Sequence, residues 1–266
     1  MSQVFFFTDI HGSWLLFEKV LDYIYTHDAH PRIIFGGDAC DRGEEGYKIM
    51  QALLNNKDVI YLKGNHEDLF VNAAKALLKL PAVLSNKESI EDKLISFLFN
   101  LYPEELCLSL YNGGLSTLTA WIKDGMPVDF INKINTLQYT YSYNNMDFCH
   151  SGATYEIFSR VKEQELKGLK IEDNDKKELL WNRSFVNIGW QKDRVGIFGH
   201  TPVVHLPPEI YGNDFNTKNI HPCIYKGTVG EDKWPGLKID MDTGAIFTQK
   251  IFILNCTDKK LIPISI

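Results

Sequence analysis

Five short segments of the chain place acidic, imidazole, amide and guanidinium side chains on turns that follow apolar runs. They span residues 8–12, 37–43, 64–67, 149–152 and 199–201. Each segment is a weak signal alone, but a purely structural role does not require this combination of side chains. The combination suits two divalent metal ions that share a bridging carboxylate and a bridging hydroxide.

The most specific segment carries Asp38, Asp41 and Arg42. One carboxylate can bridge two cations, and a second one, three residues later, can orient a neighbouring imidazole. Arginine presents a planar fork that matches phosphate oxygens. The next segment adds Asn65, a neutral ligand, and His66, which can protonate a leaving group. A capped turn with a surface ion pair is the alternative interpretation of the first of these two segments, and a loop dipeptide or helix N-cap is the alternative for the second.

The remaining segments are ambiguous when each is taken alone. Asp9 and His11 flank one residue on a sharp turn, which also fits a turn aspartate beside a surface histidine. His150 and His200 each follow an apolar run, where a lone histidine is usually a hydrogen-bonded core residue. The presence of the other segments favours the metal-ligand interpretation for all four side chains.

Short strands alternating with helices must position these side chains in the first third of the chain. Apolar runs predict strands at 4–7, 32–35 and 59–62, and helical spacing predicts helices at 14–24 and 45–54. This order indicates βαβ units and parallel strands. Because ligands bind outside the carboxyl ends of such strands, we expect the first three segments to meet at one edge of a sheet.

The middle of the chain predicts helices, and the last third returns to strands. We expect residues 68–137 to form a helical insert beside the site, within a single domain that covers 1–266. Strands are predicted at 147–149, 195–198, 237–240 and 245–254. Asp242-Thr243-Gly244 predicts a hairpin between the last two strands. A loop at 203–233 is expected near the pocket mouth, and the charged stretch 162–177 is expected to be a solvated face or a mobile loop.

Composition narrows the range of functions. The 266 residues carry a net charge of -6 and contain no run of lysine and arginine, which disfavours binding to nucleic acid. The five cysteines show no CxxC spacing, which indicates free thiols in a reducing compartment. The first apolar run is too short for a signal peptide or a membrane span. We therefore expect a cytoplasmic monomer without membrane partners.

Together, the five segments resemble the metallophosphoesterase superfamily, and in particular the bacterial and phage branch of the phosphoprotein phosphatases. The resemblance covers nearly the whole chain, and Asn112-Gly113-Gly114 with Thr117-Leu118 and the stretch 239–245 are also similar to that branch. It implies an α/β fold, an αββα sandwich with a helical insert beside the active site. Thr8 and Cys40 depart from the branch, which usually has glycine and an aliphatic residue at these positions.

The resemblance also implies a role for each site residue. It gives the first metal Asp9, His11 and Asp38, and the second metal Asp38, Asn65, His150 and His200. It makes His66 the proton donor with Asp41 as its partner, and it makes Arg42 and Arg183 phosphate ligands. A surface arginine is an equally good interpretation of Arg183. The implied reaction is hydrolysis of a phosphomonoester by direct attack of a metal-bridging hydroxide, with Mn2+ as the expected metal and Fe, Zn or Ni as the others.

Three functions stay open. The branch implies phosphoserine and phosphothreonine in proteins as substrates, with phosphotyrosine and small phosphoesters not separated from them. A sister family hydrolyses diadenosine tetraphosphate symmetrically on the same scaffold, but it typically departs from Asp-Arg-Gly and has aspartate at the position of Glu67. Asp41-Arg42-Gly43 and Glu67 therefore favour a protein phosphatase. An inactive binding protein is the third possibility, but such proteins usually lose ligands, and none is missing here.

Overall fold

Two five-stranded sheets lie face to face, with helices on their outer faces. A computed structural model describes residues 2–80, 89–184, 190–206, 220–226 and 235–266. The α/β fold class and the sandwich architecture expected from the sequence are confirmed.

The first sheet contains the strands of the predicted βαβ units. Its strands are β1 (Val4–Phe7), β2 (Arg32–Phe35), β3 (Val59–Tyr61), β9 (Lys250–Asn255) and β10 (Lys260–Ser265). They are arranged in the order β10-β9-β1-β2-β3, with β1, β2 and β3 parallel and the other two pairings antiparallel. Helices α1 (Trp14–His27) and α2 (Gly46–Asn55) connect the three parallel strands.

The second sheet is built from the last third of the chain. Its strands are β4 (Thr140–Tyr143), β5 (Met146–Cys149), β6 (Trp190–Phe198), β7 (Cys223–Lys226) and β8 (Pro235–Asp240). They lie in the order β4-β5-β6-β8-β7, with parallel pairs at the centre and antiparallel pairs at both edges. Helices α8 (Tyr155–Leu166) and α9 (Asp173–Trp181) connect β5 to β6 and contribute to the core on the outer face of this sheet.

The predicted helical insert consists of five helices in the part of it that the structure describes. They are α3 (Asn65–Leu78), α4 (Ile90–Asn100), α5 (Glu104–Tyr111), α6 (Leu115–Lys123) and α7 (Val128–Asn135). Their apolar side chains join those of α1, α2 and the outer face of the first sheet in one core. The insert thus shares a core with the parallel strands, and its first helix begins at the predicted site rather than at residue 68.

Strand β1 shows why the sheets pack on both faces. Its four residues are all buried, so the run is continuously apolar. Phe5 and Phe7 face the helices, whereas Phe6 faces the second sheet, where its ring centroid lies 5.1 Å from that of Phe148. The period-two alternation of a strand therefore splits one apolar run between two cores.

The predicted hairpin after Asp240 is wrong. Strands β8 and β9 belong to different sheets, and the stretch between them contains a short helix, α10 (Ala245–Thr248). Asp242 accepts the backbone N–H of Gly244 at 2.8 Å, and Gly244 adopts a left-handed conformation directly before α10. The same turn residues that favour a hairpin here start a helix, which carries the chain from one sheet to the other.

Other sequence expectations were correct only in part. The stretch 162–177 forms the end of α8 and the start of α9, so it is largely a solvated helical face rather than a loop. Strand β7 lies within the predicted loop 203–233, whose residues 207–219 and 227–233 are outside the described residues. Single-domain organisation stays a prediction.

All five cysteines are free thiols, as the spacing predicted. Among the described residues, no helix is both long enough and apolar enough to span a bilayer.

Packing between the two sheets should dominate stability. Replacement of Phe6 by alanine removes a fully buried ring from the inter-sheet core and should lower the free energy of unfolding by about 3–5 kcal/mol. The matched control is Phe247→Ala, whose ring is 74% exposed and which should change stability by less than about 0.5 kcal/mol. Chemical denaturation of both variants checks this, and equal stabilities would contradict the packing described here.

Candidate metal centre

The predicted site residues converge where strands of both sheets end. Asp9 and His11 follow β1, Asp38 follows β2, and Asn65 and His66 open α3 after β3. From the second sheet, His150 follows β5 and His200 follows β6. The cluster that we expected at one edge of the first sheet therefore also contains side chains from the corresponding edge of the second sheet.

The backbone of these turns is left-handed at six site residues. Their φ angles are 55° at Asp9, 44° at His11, 59° at Asp38, 67° at Asp41, 66° at Arg42 and 69° at His200. Residues with a side chain rarely adopt this conformation, and it concentrates at functional sites. It directs these side chains toward one another.

Asp38 occupies the centre of the cluster. Its Oδ1 lies 3.3 Å from His150 Nε2, and its Oδ2 lies 3.5 Å from His11 Nε2 and 3.8 Å from His66 Nε2. Burial raises the pKa of Asp38, but the imidazoles of His150, His66 and His11 lower it below its ordinary value when they are protonated. Positive charge around this buried carboxylate thus favours the ionised form that a bridging ligand requires.

Two groups of metal-ligating side chains share Asp38. One contains His11, Asp38 and His66, and the other contains Asp38, His150 and His200; within each group the ligand atoms lie within 4.8 Å of one another. Asn65 Oδ1 is close to the second group, at 3.0 Å from His150 Nε2 and 2.9 Å from His200 Nδ1. Oxygen and imidazole nitrogen ligands of this kind suit borderline divalent cations.

The hydrogen bonds of the histidines fit metal binding. Nδ1 of His11 lies 2.9 Å from the carbonyl of Cys40, and Nδ1 of His150 lies 2.9 Å from the carbonyl of Gly36. A carbonyl can only accept, so each Nδ1 carries a proton, and because burial lowers the pKa of both rings, each Nε2 presents a lone pair. At His150 this lone pair faces the oxygens of Asp38 and Asn65, which are also acceptors, and a cation between them would remove the conflict.

His200 presents a neutral ring to the second group. Burial lowers the pKa of His200 well below its ordinary value. The ring atom that faces the group is Nδ1, at 2.9 Å from Asn65 Oδ1, so Nδ1 is the atom that would bind a cation there. Nε2 is buried and has no hydrogen-bond partner among the described residues.

Asp9 is adjacent to both groups but belongs to neither. Its carboxylate accepts the backbone N–H of His200 at 3.1 Å and the hydroxyl of Thr8 at 2.6 Å. A Cβ atom at Gly199 would lie 1.9 Å from Asp9 Oδ2, so only glycine permits this approach. Burial and the charge of Asp242 raise the pKa of Asp9. Its role as a ligand stays a prediction.

His66 is held by Asp41 and contacts Arg42. Its Nδ1 donates to Asp41 Oδ2 at 2.8 Å, and Nη2 of Arg42 lies 3.0 Å from its Nε2. Nη1 of Arg42 lies 2.8 Å from His11 Nε2. Burial works against protonation of His66, but Asp38 and Asp41 raise its pKa above the ordinary value. The predicted pairing of Asp41 with His66 is thus present in the structure.

Arg183 lies just after α9, beside His200. Its Nη1 donates to the carbonyl of His200 at 3.2 Å, and the residue is otherwise exposed. The structure therefore brings it to the rim of the cluster. His27, His30, His205 and His221 belong to neither metal-ligating group.

Glu67 is the buried residue whose contribution the sequence did not reveal. Its Oε2 accepts the backbone N–H groups of Asp38 and Gly64, both at 2.8 Å. Its Oε1 accepts the N–H of Ala39 at 2.7 Å and the hydroxyl of Tyr61 at 2.8 Å. Burial and the charge of Asp38 raise the pKa of Glu67 to about 7. The carboxylate of Glu67 thus holds the turn that carries Asp38. The sequence could not reveal this role, because it depends on which backbone groups lie near Glu67 in the fold.

Two more carboxylates lie next to the cluster. Asp240 is the last residue of β8 and Asp242 follows the strand; both are buried and interact electrostatically with Asp9. Burial raises the pKa of Asp242 to about 6. Their sequence segment was noticed, but its residue types alone assigned no role to them.

The comparison with known proteins agrees with this geometry. A family model described as calcineurin-like phosphoesterase matches residues 2–226. The fold is similar to that of a provisionally assigned diadenosine tetraphosphatase, with a TM-score of 0.52, 12% identity, and coverage of 99% of this chain and 93% of that chain. It is also similar to a cold-active protein-tyrosine phosphatase from a psychrophilic Shewanella species, with a TM-score of 0.55, 14% identity, and coverage of 99% and 77%. No curated protein sequence matches the chain significantly.

Because both ligand groups contain Asp38, its replacement should remove more metal than replacement of a ligand that belongs to one group. Asp38→Asn should lower the metal content from about two ions per chain to less than one, because both groups lose a ligand. His200→Asn should remove about one ion, because only one group contains it. Asp22→Asn, at an exposed position, is the control. Elemental analysis after gel filtration measures all four proteins, and two ions retained by Asp38→Asn would contradict the shared ligand.

Proposed function

The chain belongs to the calcineurin-like phosphoesterase family, and we propose that it is a dinuclear-metal phosphatase that hydrolyses phosphomonoesters, foremost phosphoserine and phosphothreonine in proteins. The observation that carries the proposal is the position of Asp38 between two groups of ligands, within 3.5 Å of His11 on one side and 3.3 Å of His150 on the other. A single buried carboxylate surrounded in this way suits a bridge between two cations.

The metal ligands in this proposal are the predicted ones. Asp9, His11 and Asp38 hold the first cation, and Asp38, Asn65, His150 and His200 hold the second. Mn2+ is the expected metal, because mixed oxygen and imidazole ligands suit a borderline-hard cation. When bound, two such cations acidify water between them and neutralise charge on the phosphate oxygens.

His66 donates a proton to the leaving oxygen in this mechanism. Its Nδ1–H is fixed by Asp41, so its Nε2 points toward Arg42 and the centre of the site. The bond from Nδ1 to Asp41 Oδ2 at 2.8 Å orients the ring so that a proton on Nε2 can pass to a departing alkoxide. Its Nε2 also lies 3.8 Å from Asp38 Oδ2, which leaves a role as a metal ligand as the alternative to be tested.

Arg42 and Arg183 bind the phosphate in this mechanism. The guanidinium of Arg42 lies within hydrogen-bonding distance of both His11 and His66. A phosphate held by Arg42 is therefore placed next to the first ligand group and to the proton donor. Arg183 contacts the backbone of His200 and so lies beside the second group.

A cavity of about 390 Å³, lined in part by Arg42, Glu44, Leu115 and Lys123, opens beside the proposed phosphate position, where the rest of a substrate can lie. One residue supports a protein substrate over a dinucleotide. Glu67 holds four donors at once, and aspartate, which is one methylene shorter, is the residue that the dinucleotide hydrolases typically have there. The likeness to the two solved structures concerns the fold alone and does not separate these substrates.

Substitution of His66 tests its role as a proton donor. His66→Asn should keep its metal and lose about 10²–10⁴ in kcat for an alkyl phosphate, because an alkoxide requires protonation. The loss should be smaller for p-nitrophenyl phosphate, whose leaving group is stable as an anion. His205→Asn, at an exposed histidine, is the control. Loss of metal from His66→Asn would instead identify His66 as a ligand.

The substrate class is decided by parallel steady-state assays. After chelation, Mn2+ should restore activity, and phosphoserine or phosphothreonine peptides should show a higher kcat/KM than diadenosine tetraphosphate. The Asp38→Asn protein controls for contaminating phosphatases. Efficient conversion of diadenosine tetraphosphate to two ADP, with peptides at background, would replace the proposed substrate, and full activity in a metal-free sample would refute the metal mechanism.

A further inference from the structure

The turn between α5 and α6 lies directly against the loop that carries Asp41 and Arg42. The carbonyl of Gly113 accepts the backbone N–H of Arg42 at 3.0 Å. Thr117 Oγ1 accepts the backbone N–H of Asp41 at 3.0 Å. In the same region, the hydroxyl of Ser116 donates to the carbonyl of Gly43 at 2.7 Å. Three consecutive residues of the loop are thus bonded to the insert.

These bonds restrain a conformation that is unfavourable in isolation. Asp41 and Arg42 have φ angles of 67° and 66°, and two consecutive non-glycine residues in the left-handed region are rare. In this conformation the Asp41 carboxylate contacts His66. The Arg42 guanidinium contacts the imidazoles of His11 and His66. Without partners for their N–H groups, the two residues could relax toward commoner conformations and move both side chains.

The residue types in the turn match this task. Gly113 has a φ of 93°, and a Cβ atom there would lie 3.0 Å from the backbone nitrogen of Arg42. Thr117 is fully buried in the first turn of α6. Solvent water therefore does not compete with the Asp41 N–H for the hydroxyl oxygen of Thr117. These two positions belong to the Asn112-Gly113-Gly114 and Thr117-Leu118 segment, whose residue types alone gave it no role.

We propose that Gly113 and Thr117 are positioning residues, through which the helical insert fixes Asp41 and Arg42 for proton donation and phosphate binding. This inference rests on the proposed function for its catalytic consequence. The hydrogen bonds themselves can be tested without any turnover.

The main variant is Thr117→Val, which keeps the side-chain volume and removes the acceptor. Thr117→Ser keeps the hydroxyl and should behave like the unmodified protein. Thr119→Val is the matched control, because Thr119 is also buried on α6 and its hydroxyl has no hydrogen-bond partner among the described residues. A difference between the two valine variants therefore reports the bond to Asp41 rather than the loss of a buried hydroxyl.

Amide hydrogen exchange of the peptide spanning residues 40–43 is the first readout. Thr117→Val should exchange there roughly 3- to 10-fold faster, since a protecting hydrogen bond is lost. Thr117→Ser and Thr119→Val should exchange at the original rate. Equal exchange in the two valine variants would overturn the proposal, whether or not the protein proves to be a phosphatase.

The second readout is the dependence of kcat on the leaving group. Thr117→Val should lose about tenfold or more for phenyl phosphate and less for p-nitrophenyl phosphate, with unchanged metal content, because misplacement of Asp41 and His66 impairs protonation. An equal loss on both substrates together with loss of metal would show a merely structural role and overturn the proposal.

Gly113→Ala provides an independent variant if Thr117→Val does not fold. The added methyl group should displace Arg42 and weaken binding of inorganic phosphate to the Mn2+-loaded protein about tenfold, as measured by calorimetry. Unchanged phosphate binding by Gly113→Ala would overturn the part of the proposal that concerns Arg42. Absence of activity in the unmodified protein, with the expected exchange pattern, would refute the proposed function and leave the positioning role intact.

Discussion

The proposed site depends on keeping several consecutive turns in a backbone conformation that most side chains avoid. Each left-handed residue costs about 1–2 kcal/mol relative to the right-handed form. The turns of neighbouring strands restrain one another, since the N–H of Asp9 donates to the carbonyl of Gly37 and that of His11 donates to the carbonyl of Asp38. The parallel pairing of β1 with β2 places the turns side by side, so the sheet is the source of this mutual support.

Two buried side chains extend that support to the helices. Glu67, in the first turn of α3, holds the backbone around Asp38, and Thr117, in the first turn of α6, holds the backbone at Asp41. Both act from the first turn of a helix whose apolar side chains are packed in the core of the first sheet. The helical insert therefore has a structural reason to share a core with the first sheet instead of folding as a separate body.

Most of the site and the first half of the fold were accessible from the sequence, because strand, turn and ligand lie close together in the chain there. For example, the apolar run at 4–7 predicts a strand, and Asp9 and His11 directly after it indicate that the following turn carries ligands. Residues that act by contact across the fold were not accessible: the spacing of Glu67 and Thr117 says nothing about which N–H groups they accept. The hairpin after Asp240 was predicted wrongly for the same reason, since local turn residues do not reveal to which sheet the next strand belongs.

The pairing of β1 with β9 also has a consequence for the way the chain folds. Phe5 lies opposite Asn255, so the central strand of the first sheet finds one neighbour early and the other only after the chain as far as Asn255 has been synthesised. Until then, one edge of β1 has unpaired backbone groups beside apolar side chains, which is a hazard for aggregation. Contacts between such distant residues also slow folding. The first sheet therefore cannot be completed until β9 has been synthesised.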